Sequence, residues 1–177
     1  MSRKKIALIG GPATGKTTLI NALKTQGYYC MDEISRQVTL DAQKNGIEQL
    51  FLKDPIWFSK QLLESRKKQF IEAQNSNEPV VFFDRGLPDI VAYLDYIKSD
   101  YGQEFITFCE VYKYDKIFIL PPWKAIYRTD NERYESFDQL LEIHGFLKKW
   151  YSKFGYEIIE VHIGSTEERL KFILNRI

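Results

Sequence analysis

The sequence lacks the features that mark several large classes of protein. Its 177 residues include only two cysteines, Cys30 and Cys109, whose number and spacing fit neither a disulfide framework nor a metal site. No run of about 18 apolar residues is present, so no membrane-spanning helix is predicted, and the apolar run after the basic residues 3–5 is too short for a signal peptide. The net charge of +1 gives no surplus of either sign. We therefore expect a cytoplasmic protein that binds neither nucleic acid nor an anionic membrane surface.

Short apolar segments alternate with helix-like segments along the chain, and no repeat or low-complexity run interrupts them. Continuous apolar runs are typical of parallel strands that are buried on both faces. This alternation predicts βαβ units, and therefore an α/β fold in which a parallel sheet lies between two layers of helices. A length of 177 residues fits a single domain, assigned here to residues 1–177. The five predicted strands are residues 6–9, 28–31, 80–83, 116–120 and 156–161.

The most informative segment lies between the first predicted strand and the helix that follows it. Residues 10–17 (GGPATGKT) fit the pattern G-x-x-x-x-G-K-[ST] at every fixed position. Such a loop points backbone N–H groups at an anion, and the helix N-terminus adds a partial positive charge. Lys16 is expected to reach the β- and γ-phosphates of ATP, and the Thr17 hydroxyl is expected to bind Mg²⁺. The alternative is an ordinary glycine-rich turn, but the strand–loop–helix setting favours nucleotide binding. The predicted nucleotide-binding residues are Gly10, Gly11, Pro12, Ala13, Thr14, Gly15, Lys16, Thr17 and Thr18.

Charged residues follow the second and third predicted strands at the point where each strand ends. Asp32 and Glu33 follow the second strand, and Asp84 and Arg85 follow the third. In open parallel sheets ligands bind beyond the carboxyl ends of the strands, so we expect these residues to lie near the phosphate loop. Phosphoryl transfer needs a triphosphate site, a metal-linked carboxylate, a base for the acceptor hydroxyl and mobile cations. The strand ends offer residues of each of these types.

Each candidate catalytic residue also has a structural explanation. Asp84, directly after an apolar strand, fits a Walker B acid that holds Mg²⁺ directly or through water, but it also fits a helix N-cap. Glu33 is placed to accept a proton from a hydroxyl nucleophile, but an ion pair with Arg36 would also account for it. Arg128 and Arg133, in the polar segment after the fourth strand, can close over the γ-phosphate or belong to a solvated loop.

Five segments together resemble a known family. They are residues 10–17, Glu33 with Arg36, the Phe-Asp-Arg-Gly run at 83–86, residues 121–130 and residues 155–157. On these segments the sequence resembles the AAA-like P-loop ATPases related to the ribosylnicotinamide kinase domain of the bacterial NAD regulator. The resemblance covers essentially the whole chain. The sequence is more distantly similar to deoxynucleoside kinases, which place a glutamate after strand two and an Asp-Arg pair after strand three.

The resemblance implies a fold and a set of residue roles. The implied fold is the three-layer P-loop fold of the kinase type, whose five-stranded parallel sheet has the order 2-3-1-4-5 and carries helices on both faces. Glu33 would be the base, and Arg85 would contact the acceptor or a phosphate. Arg128 and Arg133 would belong to a lid-like segment at about 123–135.

Two functions from different classes fit the sequence. The leading hypothesis is an ATP-dependent kinase that transfers the γ-phosphate to a small hydroxyl-bearing acceptor, such as a nucleoside or a related metabolite. The alternative is a nucleotide-switched binding protein, using ATP or GTP, without a small acceptor. A standard GTPase is disfavoured because the sequence has no Asn-Lys-x-Asp motif and residues 84–87 do not give Asp-x-x-Gly. A motor-type ATPase is disfavoured because 177 residues leave no room for the usual lid domain.

The sequence identifies neither the acceptor nor the oligomeric state. Residues 47–70 and the helix containing Tyr93 are expected to form walls of the acceptor pocket. The basic run at 66–68, within a long predicted helix, is interpreted as a solvated face rather than a binding patch.

Overall fold

The strands form one parallel sheet in the order that the resemblance implies. The computed structural model describes residues 3–47, 50–127 and 135–177. Within these residues the sheet has five strands in the order β2-β3-β1-β4-β5, and every neighbouring pair is parallel. The three inner strands are dominated by apolar side chains, as expected of strands covered on both faces. The strands are β1 (Lys4–Ile9), β2 (Tyr29–Met31), β3 (Val80–Asp84), β4 (Lys116–Ile119) and β5 (Ile158–Glu160).

Eight helices lie within the described residues, and side-chain caps begin three of them. Asp54 accepts a hydrogen bond from the Trp57 N–H, and a proline occupies the first position of the same helix. Ser136 and Ser165 each begin a helix with a complete capping box. None of these helices is long and apolar enough to cross a membrane. The helices are α1 (Lys16–Thr25), α2 (Ser35–Lys44), α3 (Leu50–Lys53), α4 (Pro55–Asn75), α5 (Pro88–Tyr96), α6 (Gln103–Val111), α7 (Phe137–Lys153) and α8 (Thr166–Leu174).

Side chains of the central strand alternate between two hydrophobic layers. Ala7 and Ile9 face a cluster shared with α4, α5, α6 and α7, whereas Ile6 and Leu8 face a cluster shared with α1 and α8. All four side chains are fully buried. Full burial of a Leu or Ile side chain contributes about 1.5–3 kcal/mol. Packing on both faces therefore fixes β1, and with it the position of the loop that follows.

The last strand is shorter than the sequence predicts. The predicted strand is residues 156–161, but β5 begins only at Ile158. The backbone N–H of Tyr156 donates to the carbonyl oxygen of Tyr151 at 3.1 Å, and so closes the C-terminal end of α7. That N–H is therefore not available to the sheet.

The prediction of a solvated face for residues 66–68 is wrong for Arg66. Its side chain is only 4% exposed. Arg66 lies four residues after Leu62 and four before Phe70, which are both buried, and so it belongs to the buried face of α4. Lys68 is exposed, as predicted.

Candidate nucleotide-binding site

The loop at residues 10–15 joins β1 to α1 at the centre of the sheet edge. Gly10 and Gly15 have φ angles of 146° and 89°, a region that favours glycine. A Cβ at Gly11 would lie 2.1 Å from Cδ1 of Leu140, so a side chain there would displace Leu140 of α7. Among the described residues no side chain caps the N-terminus of α1. The first N–H groups of α1 are therefore available to an anion.

Lys16 is folded back over the phosphate loop. Its Nζ donates to the carbonyl oxygens of Gly10 at 2.8 Å and Gly11 at 2.7 Å. Within the described residues no carboxylate forms an ion pair with this ammonium group, which is only 6% exposed. Burial and the neighbouring Arg85 guanidinium lower the pKa of Lys16 to about 7, although Asp84 and Glu33 oppose the change. An anion in the loop would replace these carbonyl contacts with full charge compensation.

Asp84 lies next to the loop and has an unused ligand atom. It ends β3 and stands opposite Leu8 of β1, two residues before Gly10. Its Oδ1 is buried with no hydrogen-bond partner among the described residues, and burial raises the pKa of the carboxyl group. The alternative role as a helix N-cap does not hold, because the residue before α5 is Leu87. A buried carboxylate oxygen beside this loop fits a hard cation such as Mg²⁺.

Thr17 provides the second predicted metal ligand. It lies in the first turn of α1 and is exposed. No group of three or more His, Cys, Asp or Glu within the described residues is arranged to hold a metal ion. A cation here would therefore need the nucleotide phosphates as further ligands, together with the Thr17 hydroxyl and Asp84, as is usual for Mg²⁺.

Glu33 lies between two arginines that come from different elements. One of its carboxylate oxygens contacts Nε of Arg85, and the other lies 3.3 Å from a guanidinium nitrogen of Arg66. Burial alone would raise the pKa of Glu33, but Arg85, Arg66 and the N–H of Ser35 outweigh it and lower the pKa to about 2. These pairs, rather than the pair with Arg36 considered from the sequence, hold the carboxylate in place.

Arg85 connects the Glu33 carboxylate to the phosphate loop. It follows β3 with a φ of 76°, an uncommon conformation for a side-chain-bearing residue. Nη1 of Arg85 donates to the Gly10 carbonyl at 3.2 Å and lies 3.5 Å from Oδ1 of Asp89. The same guanidinium therefore contacts both Glu33 and the loop backbone.

The structure adds residues that the sequence interpretation missed. Arg66 donates to the Gly86 carbonyl at 2.7 Å, beside its pair with Glu33. Asp89 accepts hydrogen bonds from the Gly86 N–H at 3.0 Å and the Tyr151 hydroxyl at 2.5 Å. For Arg66 the spacing to buried neighbours in α4 was a usable signal. For Asp89 no local pattern separates this role from that of an ordinary first-turn acid.

The lid residues are not part of this geometry. Arg128 and Arg133 lie outside the described residues, and the lid-like segment at about 123–135 stays a prediction. The described first part of this segment, residues 123–127, forms a turn in which the N–H groups of Ile126 and Tyr127 donate to the Trp123 carbonyl, at 3.2 and 3.1 Å.

Solved structures share this fold over nearly the whole chain. Deoxyadenosine kinase from M. mycoides, with dCMP and dCDP, aligns with a TM-score of 0.71 at 17% identity, covering 97% of both chains. The same enzyme with dATP gives a TM-score of 0.62 at 17% identity, covering 97% of this chain and 98% of that one. The NadR protein in complex with NR gives 0.77 at 17% identity, covering 98% of this chain and 51% of that one. At these identities the likeness shows the fold alone. No curated protein matches the sequence.

The sheet order and the phosphate loop define a kinase-type P-loop nucleotide-binding fold. A family model described as an AAA domain matches residues 5–169. Because this is most of the chain, the protein belongs to that AAA domain family. The resemblance to AAA-like P-loop proteins and their kinase relatives is thereby confirmed.

Proposed function

We propose that the protein is an ATP-dependent kinase for a small hydroxyl-bearing acceptor, such as a nucleoside or a related metabolite. One observation carries this proposal: Arg85 touches both Glu33 and the carbonyl oxygen of Gly10. One side chain thus contacts both a candidate base and a candidate triphosphate site, which places the two close together, and transfer between two bound substrates requires such proximity. The fold shared with deoxyadenosine kinase and NadR supports the proposal.

The residues would divide the reaction between them. The phosphate loop and Lys16 would bind the triphosphate, and Arg128 and Arg133 would close over it. Mg²⁺ held by Thr17 and Asp84 would neutralise charge on the phosphates. Glu33 would accept the proton of the acceptor hydroxyl. Because a carboxylate with a pKa of about 2 is a weak base, Glu33 would do so after Arg85 moves from it to a phosphate.

The second candidate is a nucleotide-switched binding protein without a small acceptor. The observation that favours it is that Arg85 and Arg66 both hold the Glu33 carboxylate, as they would in an ion pair with a structural role alone. In such a protein the Glu33–Arg85 contact would change with the nucleotide and alter partner binding. Turnover would not respond to small acceptors.

An acceptor screen separates the two functions. Release of ADP from Mg-ATP would be measured with purified protein over a panel of nucleosides, other ribosides and nucleotides. Wild type would be compared with Lys16→Ala and with Lys24→Ala, an exposed lysine of the same helix that pairs with Asp32. We expect at least one acceptor to stimulate ADP release by wild type and Lys24→Ala but not by Lys16→Ala.

Calorimetry provides the matching binding test. Loss of charge-assisted contacts to phosphate is worth about 1.5–3 kcal/mol, so Lys16→Ala should raise the Kd for Mg-ATP by about 10- to 150-fold. Unchanged Mg-ATP binding by a folded Lys16→Ala variant would contradict the nucleotide site. Normal binding without stimulation by any acceptor would favour the switch.

A further inference from the structure

A second buried cation, Arg169 of α8, lies against the phosphate loop. Its Nη2 donates to the carbonyl oxygen of Thr14 at 3.0 Å. A Cβ at Gly15 would lie 2.8 Å from its Nη1, so the guanidinium packs directly on the loop backbone. Arg169 is 155 residues away from Thr14 in sequence, and the fold alone brings them together.

Unlike the other buried arginine, Arg169 pairs with no acid in the part of the chain that the structure describes. It is only 4% exposed, as Arg66 is, but Arg66 pairs with Glu33. Among residues 3–47, 50–127 and 135–177 no carboxylate pairs with Arg169, and its Nε is buried without a hydrogen-bond partner. The ring of Trp123 also lies close, with its centroid 5.8 Å from Cζ of Arg169. Burial lowers the pKa of Arg169, yet arginine remains charged in proteins.

A buried unpaired charge is costly unless something compensates it. The phosphate loop lies next to Arg169 and is suited to an anion, because no described side chain caps the N-terminus of α1 and Lys16 donates only to oxygen atoms of the loop itself. Binding of a polyphosphate there would place several negative charges near the guanidinium, in a region of low dielectric where the attraction is strong.

We infer that Arg169 is a positioning residue of the donor-nucleotide site, which holds the Thr14 carbonyl and supplies positive charge that the bound polyphosphate compensates. This inference rests on the proposed nucleotide binding and extends it to a residue outside the loop motif. It implies that Arg169 favours ligand binding and lowers the stability of the free protein. If Arg169 had only a structural role, its removal would instead lower the stability of the free protein without a specific loss of ligand affinity.

The test compares stability and binding in the same variants. Arg169→Met keeps much of the side-chain length and removes the charge, Arg169→Lys keeps the charge, and Arg176→Met is the control on the exposed end of the same chain segment. Thermal unfolding would be followed without ligand, and the Kd values of Mg-ATP, Mg-ADP and inorganic tripolyphosphate would be measured by calorimetry.

We expect Arg169→Met to unfold at the same or a higher temperature than wild type without ligand. Its Kd for Mg-ATP should rise about tenfold or more, the usual range for a lost charge-assisted contact, with a smaller rise for Mg-ADP. Arg169→Lys should recover part of the ATP affinity, and Arg176→Met should match wild type in its Kd values for all three ligands.

Two outcomes would overturn the inference while leaving nucleotide binding intact. One is wild-type affinity for Mg-ATP in Arg169→Met. The other is a lower unfolding temperature of that variant without ligand, combined with no recovery of ATP affinity in Arg169→Lys. If wild type binds none of the three polyphosphates, the proposed function fails, and this inference fails with it.

Discussion

The two halves of the candidate site handle charge in opposite ways. On the phosphate-loop side, Lys16 and Arg169 donate to backbone carbonyl oxygens, and no carboxylate within the described residues pairs with either. On the other side Glu33 pairs with Arg85 and Arg66. Asp89, 3.5 Å from Arg85, is a second carboxylate on that side, so two carboxylates balance two guanidinium groups there. The two cations of the loop side have no such partner within the described residues.

The difference bears on which substrate each side can accept. A triphosphate bound on the loop side would neutralise cations that are already buried. An acceptor on the ion-pair side must instead compete with interactions that the protein already makes. A neutral hydroxyl compound that replaces one arginine as the partner of Glu33 would disturb the charge balance of this side less than an additional ion would. The comparison therefore favours an uncharged acceptor group at Glu33.

The largest expected effect comes from a substitution that disrupts only the ion-pair side. If Glu33 is the acceptor base, Glu33→Gln should leave Mg-ATP affinity close to wild type, because the phosphate loop and Lys16 bind the triphosphate. Acceptor-dependent ADP release should fall by about 10²–10⁴-fold, the usual contribution of a general base. The rate would be measured with the acceptor found in the screen, with Glu64→Gln, an exposed glutamate of α4, as the matched control.

Two results would decide against this role. An acceptor-stimulated rate that survives Glu33→Gln would exclude Glu33 as the base. A parallel loss of rate and of Mg-ATP affinity would mean that the carboxylate acts mainly by holding Arg85 against the loop.

The second effect concerns stability and pH on the same side. The pKa of Glu33 is about 2 in the folded protein, compared with 4.5 for an unperturbed glutamate. A lowered folded-state pKa contributes stability above about pH 4.5, and this contribution is lost as the pH falls from 4.5 through 2. Because Glu33 is partly exposed, we expect about 1–3 kcal/mol.

Urea unfolding of wild type and Glu33→Gln at pH 7, 4 and 3 measures this contribution. The stability difference between the two should be largest at pH 7 and should shrink at pH 4 and again at pH 3. Glu64→Gln should show no such trend. A difference that stays constant over this range would mean that the arginines do not perturb Glu33 in solution.

The parts of this site that depend on local sequence patterns could be predicted. The phosphate loop and the strand-end acids follow from short motifs beside apolar strands, whereas the sheet order was implied by the resemblance to a known family and is confirmed. The pairing of Glu33 with Arg66, 33 residues away, and of Arg169 with Thr14 could not be predicted. Those contacts depend on which helix faces meet above the strand ends, which packing of the whole chain determines.

The smallest expected effect tests the metal site on the loop side. Asp84 ends β3 with a buried, unpartnered Oδ1, and Thr17 presents an exposed hydroxyl in the first turn of α1. If both address one Mg²⁺, Asp84→Asn should raise the Mg²⁺ concentration needed for half-maximal activity by about tenfold, since loss of one metal-orienting group costs about 10–100-fold. Asp95→Asn is the control, because Asp95 pairs with Lys149.

The same titration separates a metal ligand from a structural acid. A ligand role predicts that excess Mg²⁺ restores much of the activity of Asp84→Asn, because the metal site is weakened rather than removed. It also predicts that Mg²⁺ strengthens ATP binding less in this variant than in wild type, which calorimetry with and without Mg²⁺ would show. An Asp84→Asn protein with the Mg²⁺ response and turnover of wild type would instead leave Asp84 as a buried strand-end residue, and the loop side would then bind Mg²⁺ through Thr17 and the nucleotide alone.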